Sequence, residues 1–182
     1  MEVRCLEEII DYDGSQLRPH WIFDRLGLLG DVAVAFIGAA RVIGESLVDR
    51  VDARAGDFIY SPRMLHFLIE HFNPELELAV SRQRLLVVCA AESLPRSAGV
   101  RRQGDDLYVG ERKLSVSIAT RSLTSSLIHL ALNIETEGTP VPAMGLKELG
   151  LDPRSVAGEI LAAYRQELLG IRDAVAKVRG VR

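Results

Sequence analysis

The sequence predicts an α+β fold, with a central mixed, mostly antiparallel sheet flanked by helices. Runs rich in β-branched and aromatic residues, bounded by Gly, Asp or Pro, crowd the middle of the chain. One strongly apolar helical pattern interrupts them at 75–94, and a second closes the chain after the last strand. Strands followed by a docked terminal helix point to α+β, since an alternating parallel sheet returns to a helix after every strand. With 182 residues and 48% hydrophobic content, the chain suffices for one core and is short for two. No repeat, low-complexity tract or linker divides it, so residues 1–182 are expected to form a single domain.

Taken in order, residues 9–27 (IIDYDGSQLRPHWIFDRLG) predict a turn leading into a helix. Asp13-Gly14-Ser15 is turn chemistry, Asp13 or Ser15 is the expected cap, Pro19 suits a first helical turn, and Gly27 and Gly30 end it. Strands are expected at 31–37 (DVAVAFI) and 58–61 (FIYS), with a strand end and loop between them over 45–57. The run 64–72 (MLHFLIEHF) has apolar residues at helical spacing too, but its Phe and Ile content favours a strand. A buried helix covers 75–94 and stops at Pro95 and Gly99. Three strand-like pieces follow (GVRR, DLYVGERKLSVSIAT and LIHLALNIE), with VGERK as a hairpin turn in which Gly110 supplies positive φ. From residue 145 the tail is expected to be helical, with Asp152-Pro153 as a helix start and Ile160, Leu161, Tyr164, Leu168, Ile171 and Val175 as its apolar stripe.

Composition excludes several function classes. A net charge of −3 and 5% aromatic residues leave neither a basic field nor a base-stacking platform, so nucleic acid is disfavoured. The longest apolar stretches, such as LLVVCAA at 85–91, are too short to span a bilayer. The N-terminal residues lack the pattern of a secretory signal. Cys5 and Cys89 form no disulfide framework, which suits a reducing cytoplasm.

Residues 104–120 carry something more specific. GDDLYVGERKLSVSIAT resembles the biotin protein ligase segment that runs P-N-D-L-Y, hairpin, K-L-A-G-I-L. Asp106, Leu107 and Tyr108 fall on its Asp-Leu-Tyr, and Lys113 and Leu114 fall without a gap on its Lys-Leu. LALNIE at 130–135 resembles the G-I-N-V strand of the ligases and the L-A-L-N-V strand of octanoyl transferases. The phrases YDGSQLRPHW, YSPRMLHFLIEHF, SRQRLL and KLSVSIAT resemble the family recorded as the domain of unknown function numbered 366. The resemblance implies a biotin/lipoate protein ligase-like fold of the class II synthetase superfamily. It also implies Lys113 as the reactive-site lysine, steadying an acyl donor, and Asp106 as the group orienting an acceptor amine.

The chain departs from the pattern where the ligases fold a Gly/Arg-rich loop over an acyl-adenylate. VDRVDARAGDFIYS has Arg50, Arg54 and Gly56 but no glycine run whose amides would cradle phosphate. The transferase cysteine is absent as well: none follows Cys89, which lies in an apolar helix as a structural thiol.

The remaining candidates are weighed residue by residue. Asp13, Ser15, Gln16, Arg18 and His20 pack polarity into one turn, and in the ligases the matching turn borders the pocket. Ser61, Ser115 and Ser117 are candidate hydroxyl donors to a ligand, although ordinary strand polarity explains the last two equally well. His66 and Glu70 share one strand face and His71 takes the other. HFLIEH matches no zinc-protease spacing, so a core histidine and a pocket carboxylate are favoured over a metal. Arg82 and Arg84 are either a solvated helix face or an anion contact.

Two functions follow. One is an acyl- or cofactor-handling ligase or transferase with an altered nucleotide loop; the other is a non-catalytic module binding a small molecule or a protein. A small-molecule ligand, acyl or cofactor-like, is the expected partner; a homodimer is allowed, and no cofactor is singled out.

Overall fold

The computed structural model describes residues 1–181. Five strands form the main sheet: β1 (Glu2–Ile9), β2 (Val32–Val42), β3 (Ile59–His71), β8 (Ser126–Glu135) and β7 (Ser115–Arg121), in that spatial order. β1 runs parallel to β2, and every other pairing is antiparallel. A small second sheet comprises β4 (Val100–Gln103), β5 (Asp106–Val109) and β6 (Arg112–Lys113). The helices are α1 (Trp21–Leu26), α2 (Arg50–Ala55), α3 (Leu76–Ser93) and α4 (Pro153–Lys177). None is long and apolar enough to cross a membrane.

β2, β3 and β8 are buried on both faces, which explains their near-continuous apolar runs. On one face Ala33, Ala35, Leu65, Phe67, Ile128, Leu130 and Leu132 pack against Leu86, Val87 and Ala90 of α3 and Ile160, Leu161 and Tyr164 of α4. On the other, Val32, Val34, Phe36 and Leu68 pack with Tyr12, Ile22, Val42 and Leu47. The run 64–72 is strand through His71, because each of its faces has a layer to meet.

Several expectations need correction. Residues 2–9, for which the sequence indicates no element, form the edge strand β1; its side chains are mostly exposed or half-buried, so its polar sequence shows no alternation. Residues 45–57 form a 3₁₀ turn (Gly44–Ser46) and α2, not a strand end and loop. The side chain of Asp49 caps α2 by accepting from the Val51 and Asp52 amides. Neither Asp13 nor Ser15 caps α1: its N-cap is His20, at φ 63°, with no side-chain cap. The tail becomes helical only at Pro153, where Asp152 accepts from Ser155 N as expected. Its apolar stripe is buried only as far as Tyr164; Ile171 and Val175 are exposed.

After β1 the chain continues along β2 past an irregularity at Gly38. Tyr12 N donates to Ala39 O at 2.8 Å, and Arg41 N donates to Tyr12 O at 2.9 Å. This passage delivers Tyr12 to the sheet face that α3 and α4 leave uncovered.

Candidate functional site

The hairpin joining β5 and β6 turns at Gly110 (φ 58°) and pairs Tyr108 with Lys113. The backbone of Lys113 is gripped on several sides. Its N–H donates to Pro142 O at 2.9 Å, and its carbonyl accepts from Met144 N at 3.0 Å and Asn133 Nδ2 at 3.1 Å. Asn133, on β8, thus fixes the lysine that sequence resemblance singled out. Lys113 Nζ meets Asp106 Oδ2 at 2.9 Å, with both side chains about three-quarters buried.

Both residues line a cavity of about 520 Å³. Its floor is the uncovered sheet face, with Met64, Val116, Ile118, His129 and Asn133, and Tyr12 and Leu17 close one side. The segment around α2 contributes Asp49, Asp52, Asp57 and Phe58, and residues 139–143 form the far rim. Asp49, Asp52, Asp57, Asp105 and Asp106 line it with one cation, Lys113; Asp105 is paired with Arg84 at 3.4 Å and Asp49 caps α2, and the wall is acidic on balance. Asp52 is raised from its ordinary value, first by burial and then by Asp49 and Asp57. Among the described residues, no group of three or more His, Cys, Asp or Glu is arranged to hold a metal ion.

The floor includes one of two buried, neighbouring histidines, His129, with His66 beside it on β3. His66 Nε2 is 3.3 Å from the Gly38 carbonyl, an acceptor, so this nitrogen carries the proton. His66 Nδ1 is then the acceptor for His129 Nε2–H at 3.1 Å. His129 stacks on Tyr12 with ring centroids 3.8 Å apart and planes 11° from parallel. Burial depresses His66 to about 4 and pushes His129 well below the usual histidine range, with His66 adding to the shift. Both are neutral at pH 7.

Of the residues expected at the site, Lys113 and Asp106 reach the cavity wall as an ion pair, and Ser117 borders it with its hydroxyl turned toward α3. The others lie outside it, each with a structural occupation. Ser115 sits in register with Leu132, on the sheet face that packs against α3, and accepts from Leu107 N at 2.8 Å. Ser117 shares that face; its hydroxyl accepts from Gln83 Nε2 at 2.7 Å and donates to Asp105 O at 3.0 Å. Ser61 donates to Glu135 O at 2.8 Å. His66 lies beside His129 on the same sheet face, one strand over, and does not line the cavity. Glu70 accepts from His20 N at 3.1 and 3.0 Å and from Ser125 Oγ at 2.6 Å.

The polar turn at 13–20 holds itself together. Asp13 accepts from Ser15 N and Oγ, Gln16 bridges Asp13 N and Asp11 O, and Arg18 pairs with Asp24 at 2.9 Å. Cys89 is buried, and burial raises its thiol to about 11, as fits a structural role.

Sequence reasoning missed Tyr12, His129 and the aspartates on and beside α2. The Asp49-Arg-Val-Asp52 run is a capping pattern that marks a short helix. His129 alternates within LIHLALNIE with residues of the opposite face. Tyr12 carried no signal, because the close approach of Gly38 that seats it depends on a distant strand.

The solved structure of a protein of unknown function from Pyrococcus horikoshi matches with a TM-score of 0.95 and 41% identity, covering 100% of this chain and 99% of that one. An uncharacterised protein of Methanocaldococcus jannaschii is 34% identical over 176 residues, 92% of this chain and 80% of the relative. A biotin protein ligase from Aquifex aeolicus, in complex with biotin and ATP, has a TM-score of 0.63 and 17% identity, covering 94% of this chain and 72% of that one. A putative lipoate protein ligase from T. acidophilum with bound lipoic acid has a TM-score of 0.64 and 15% identity, covering 92% and 86%. At these last identities the likeness establishes the fold alone: an α+β architecture of the biotin/lipoate protein ligase type. The family model described as Domain of unknown function (DUF366) matches residues 1–179, and the chain belongs to that family.

Proposed function

We propose that the protein is a ligase or acyltransferase acting on a small acyl or cofactor-like compound at the Lys113–Asp106 pair. The observation that carries this reading is that pair, held at 2.9 Å on the wall of a cavity of about 520 Å³. In the two ligase structures of the same fold, the bound compounds are biotin with ATP and lipoic acid. An ammonium fixed by its own backbone is preorganised to stabilise charge growing on an acyl oxygen. Asp106, beside it, accepts a hydrogen bond from the acceptor amine once that amine has shed its ammonium proton to solvent, directing its lone pair at the carbonyl of an activated acyl donor, whose leaving group departs as the amide forms. The free thiols of Cys5 and Cys89 suit action in the cytoplasm.

The acidic wall narrows the reading. Where a phosphate-cradling loop would lie, the chain forms an Asp-capped helix bearing Asp52, with Asp57 just beyond. Carboxylates there repel a polyphosphate and attract a protonated amine. The ligand set this supports is an acyl compound and a cationic acceptor, without ATP held in the manner of the ligases. A second reading, a binding module without chemistry, is favoured by the ion pair itself, since Asp106 already neutralises Lys113.

A thermal-shift panel of biotin, lipoate, octanoate, ATP and the acyl-adenylates separates these readings. Near a hundredfold excess over Kd, a ligand of the native state adds about 3 kcal/mol, which raises Tm by several degrees. We expect at least one acyl compound to do so and ATP alone not to. Lys113→Ala weakens that ligand by about tenfold or more, as for a lost hydrogen bond to a charged group. A panel with no shift removes the ligase-like reading. A ligand whose affinity and turnover ignore Lys113→Ala removes the site assignment.

A further inference from the structure

On the opposite face of the sheet from Lys113, α3 and α4 border a smaller, open pocket of about 180 Å³. Arg82 of α3 lines it, and its Nε and Nη1 are buried with no hydrogen-bond partner. Orphaned guanidinium donors are rare, because N–H groups withdrawn from water without an acceptor are costly. The carboxylate on this wall, Asp31, is already committed: Oδ2 accepts from His71 Nδ1 at 3.0 Å and Oδ1 accepts from Phe72 N at 2.8 Å. His71, kept neutral by burial, in turn accepts at Nε2 from the Tyr164 hydroxyl at 3.0 Å. Arg165 and Arg172 of α4 line the same pocket. Neither they nor Arg82 enters an ion pair among the described residues.

The pocket therefore carries an excess of positive charge and a set of donors without an acceptor. Its other walls are mostly apolar, chiefly Leu78, Leu85 and Leu168, with Ser81 and Met1 also in the lining. A volume of about 150 Å³ accommodates benzene, so this pocket has room for a body of that size and little more. We infer that it is a binding site for a small organic monocarboxylate, with the carboxylate on Arg82, Arg165 and Arg172 at the mouth, and the apolar body against Leu78, Leu85 and Leu168. A planar carboxylate suits the guanidinium, and the leucines give no polar partner to the rest of the ligand. This site is separate from the Lys113 cavity and stands independently of its reading.

The test is an NMR titration of methyl-labelled protein with benzoate, using benzyl alcohol and inorganic phosphate as comparators. We expect saturable shifts of the Leu78, Leu85 and Leu168 methyls, with both comparators binding about tenfold more weakly or worse. Arg82→Gln is expected to weaken benzoate by about tenfold or more. If Arg82→Gln does not fold, Arg172→Gln carries the test, with an expected weakening of about threefold as for a partly screened charge. Several outcomes overturn the assignment. These are unsaturable methyl shifts, shifts confined to Leu17 and Leu47 at the other cavity, equal affinity for benzyl alcohol, or unchanged benzoate affinity in a folded variant. Phosphate binding as tightly as benzoate overturns it too, and assigns the arginines to a free inorganic anion.

Discussion

Glu70 shows how a residue type suited to a binding site is used to hold the fold. Its carboxylate is buried in the sheet face and makes hydrogen bonds to His20 N and Ser125 Oγ. The contact to His20 spans 50 positions in sequence and anchors the start of α1, where His20 adopts φ 63°. Glu70→Leu keeps the volume and removes the acceptor, leaving the buried Ser125 hydroxyl and the part-buried His20 N–H without it. We expect a loss of about 2 kcal/mol, the usual penalty for such an orphan. Glu70→Gln should recover most of it, because the amide oxygen still accepts from His20 N and the Ser125 hydroxyl can turn to accept from the amide. Denaturant midpoints at constant slope decide between them. Equal stability of the Leu and Gln variants would show that the His20 contact contributes nothing. The same residue marks a limit of sequence reading: a glutamate among Phe, Leu, Ile and His reads equally as ligand contact or anchor. For Lys113 and Asp106 the ungapped hairpin spacing indicated that the two stand together, as their 2.9 Å pair shows, but it did not assign their role.

At the scale of elements, legibility followed burial. Strands buried on both faces and the core-facing helices α3 and α4 were visible in their apolar patterns. β1 and α2 were not, for opposite reasons. β1 is an edge strand whose pairing partner is supplied 30 residues later. α2 buries none of its residues, so periodicity has nothing to report, and only Asp49 as a cap betrays it. The passage from β1 to α1 that seats Tyr12 in the cavity depends on Gly38 of β2. A Cβ built there lies 1.9 Å from the Ile10 carbonyl oxygen and 2.4 Å from its carbon. Both are backbone atoms, so neither can move aside without displacing the Tyr12 backbone bonds to Ala39 and Arg41. Gly38→Ala should therefore cost at least about 3 kcal/mol, the upper range for overpacking a rigid site. It should also weaken any ligand of the Lys113 cavity, which Tyr12 lines. A Gly38→Ala protein melting with the parent would mean that the two segments do not approach as closely as described.

Across the whole molecule, three histidines are buried and neutral, and together they make stability fall with acidity. Burial lowers His66 to about 4 from 6.5, lowers His71 in spite of the Asp31 carboxylate beside it, and drives His129 well below 6.5. In the unfolded chain each takes up a proton near its ordinary value. Between about pH 6.5 and 4 the unfolded state thus binds more protons than the folded one, so stability rises with pH through that window and is lost as pH falls. His66 alone is worth roughly 3 kcal/mol across it, at about 1.4 kcal/mol per unit. Asp31 acts lower down. Its hydrogen bond from His71 holds it at about 2 against an ordinary 3.8, so the stability it contributes is present above 3.8 and disappears as pH falls toward 2. The two windows adjoin, and both slopes have the same sign. Urea melts from pH 8 to 4 should therefore show a flat upper region and a steep decline beginning near pH 6.5. Replacing His66 and His129 together with Asn, which does not titrate, should flatten most of the decline above pH 4 at some cost in stability at pH 8. A decline that persists unchanged in that double variant would assign acid sensitivity to groups other than the stacked histidine pair at the cavity floor.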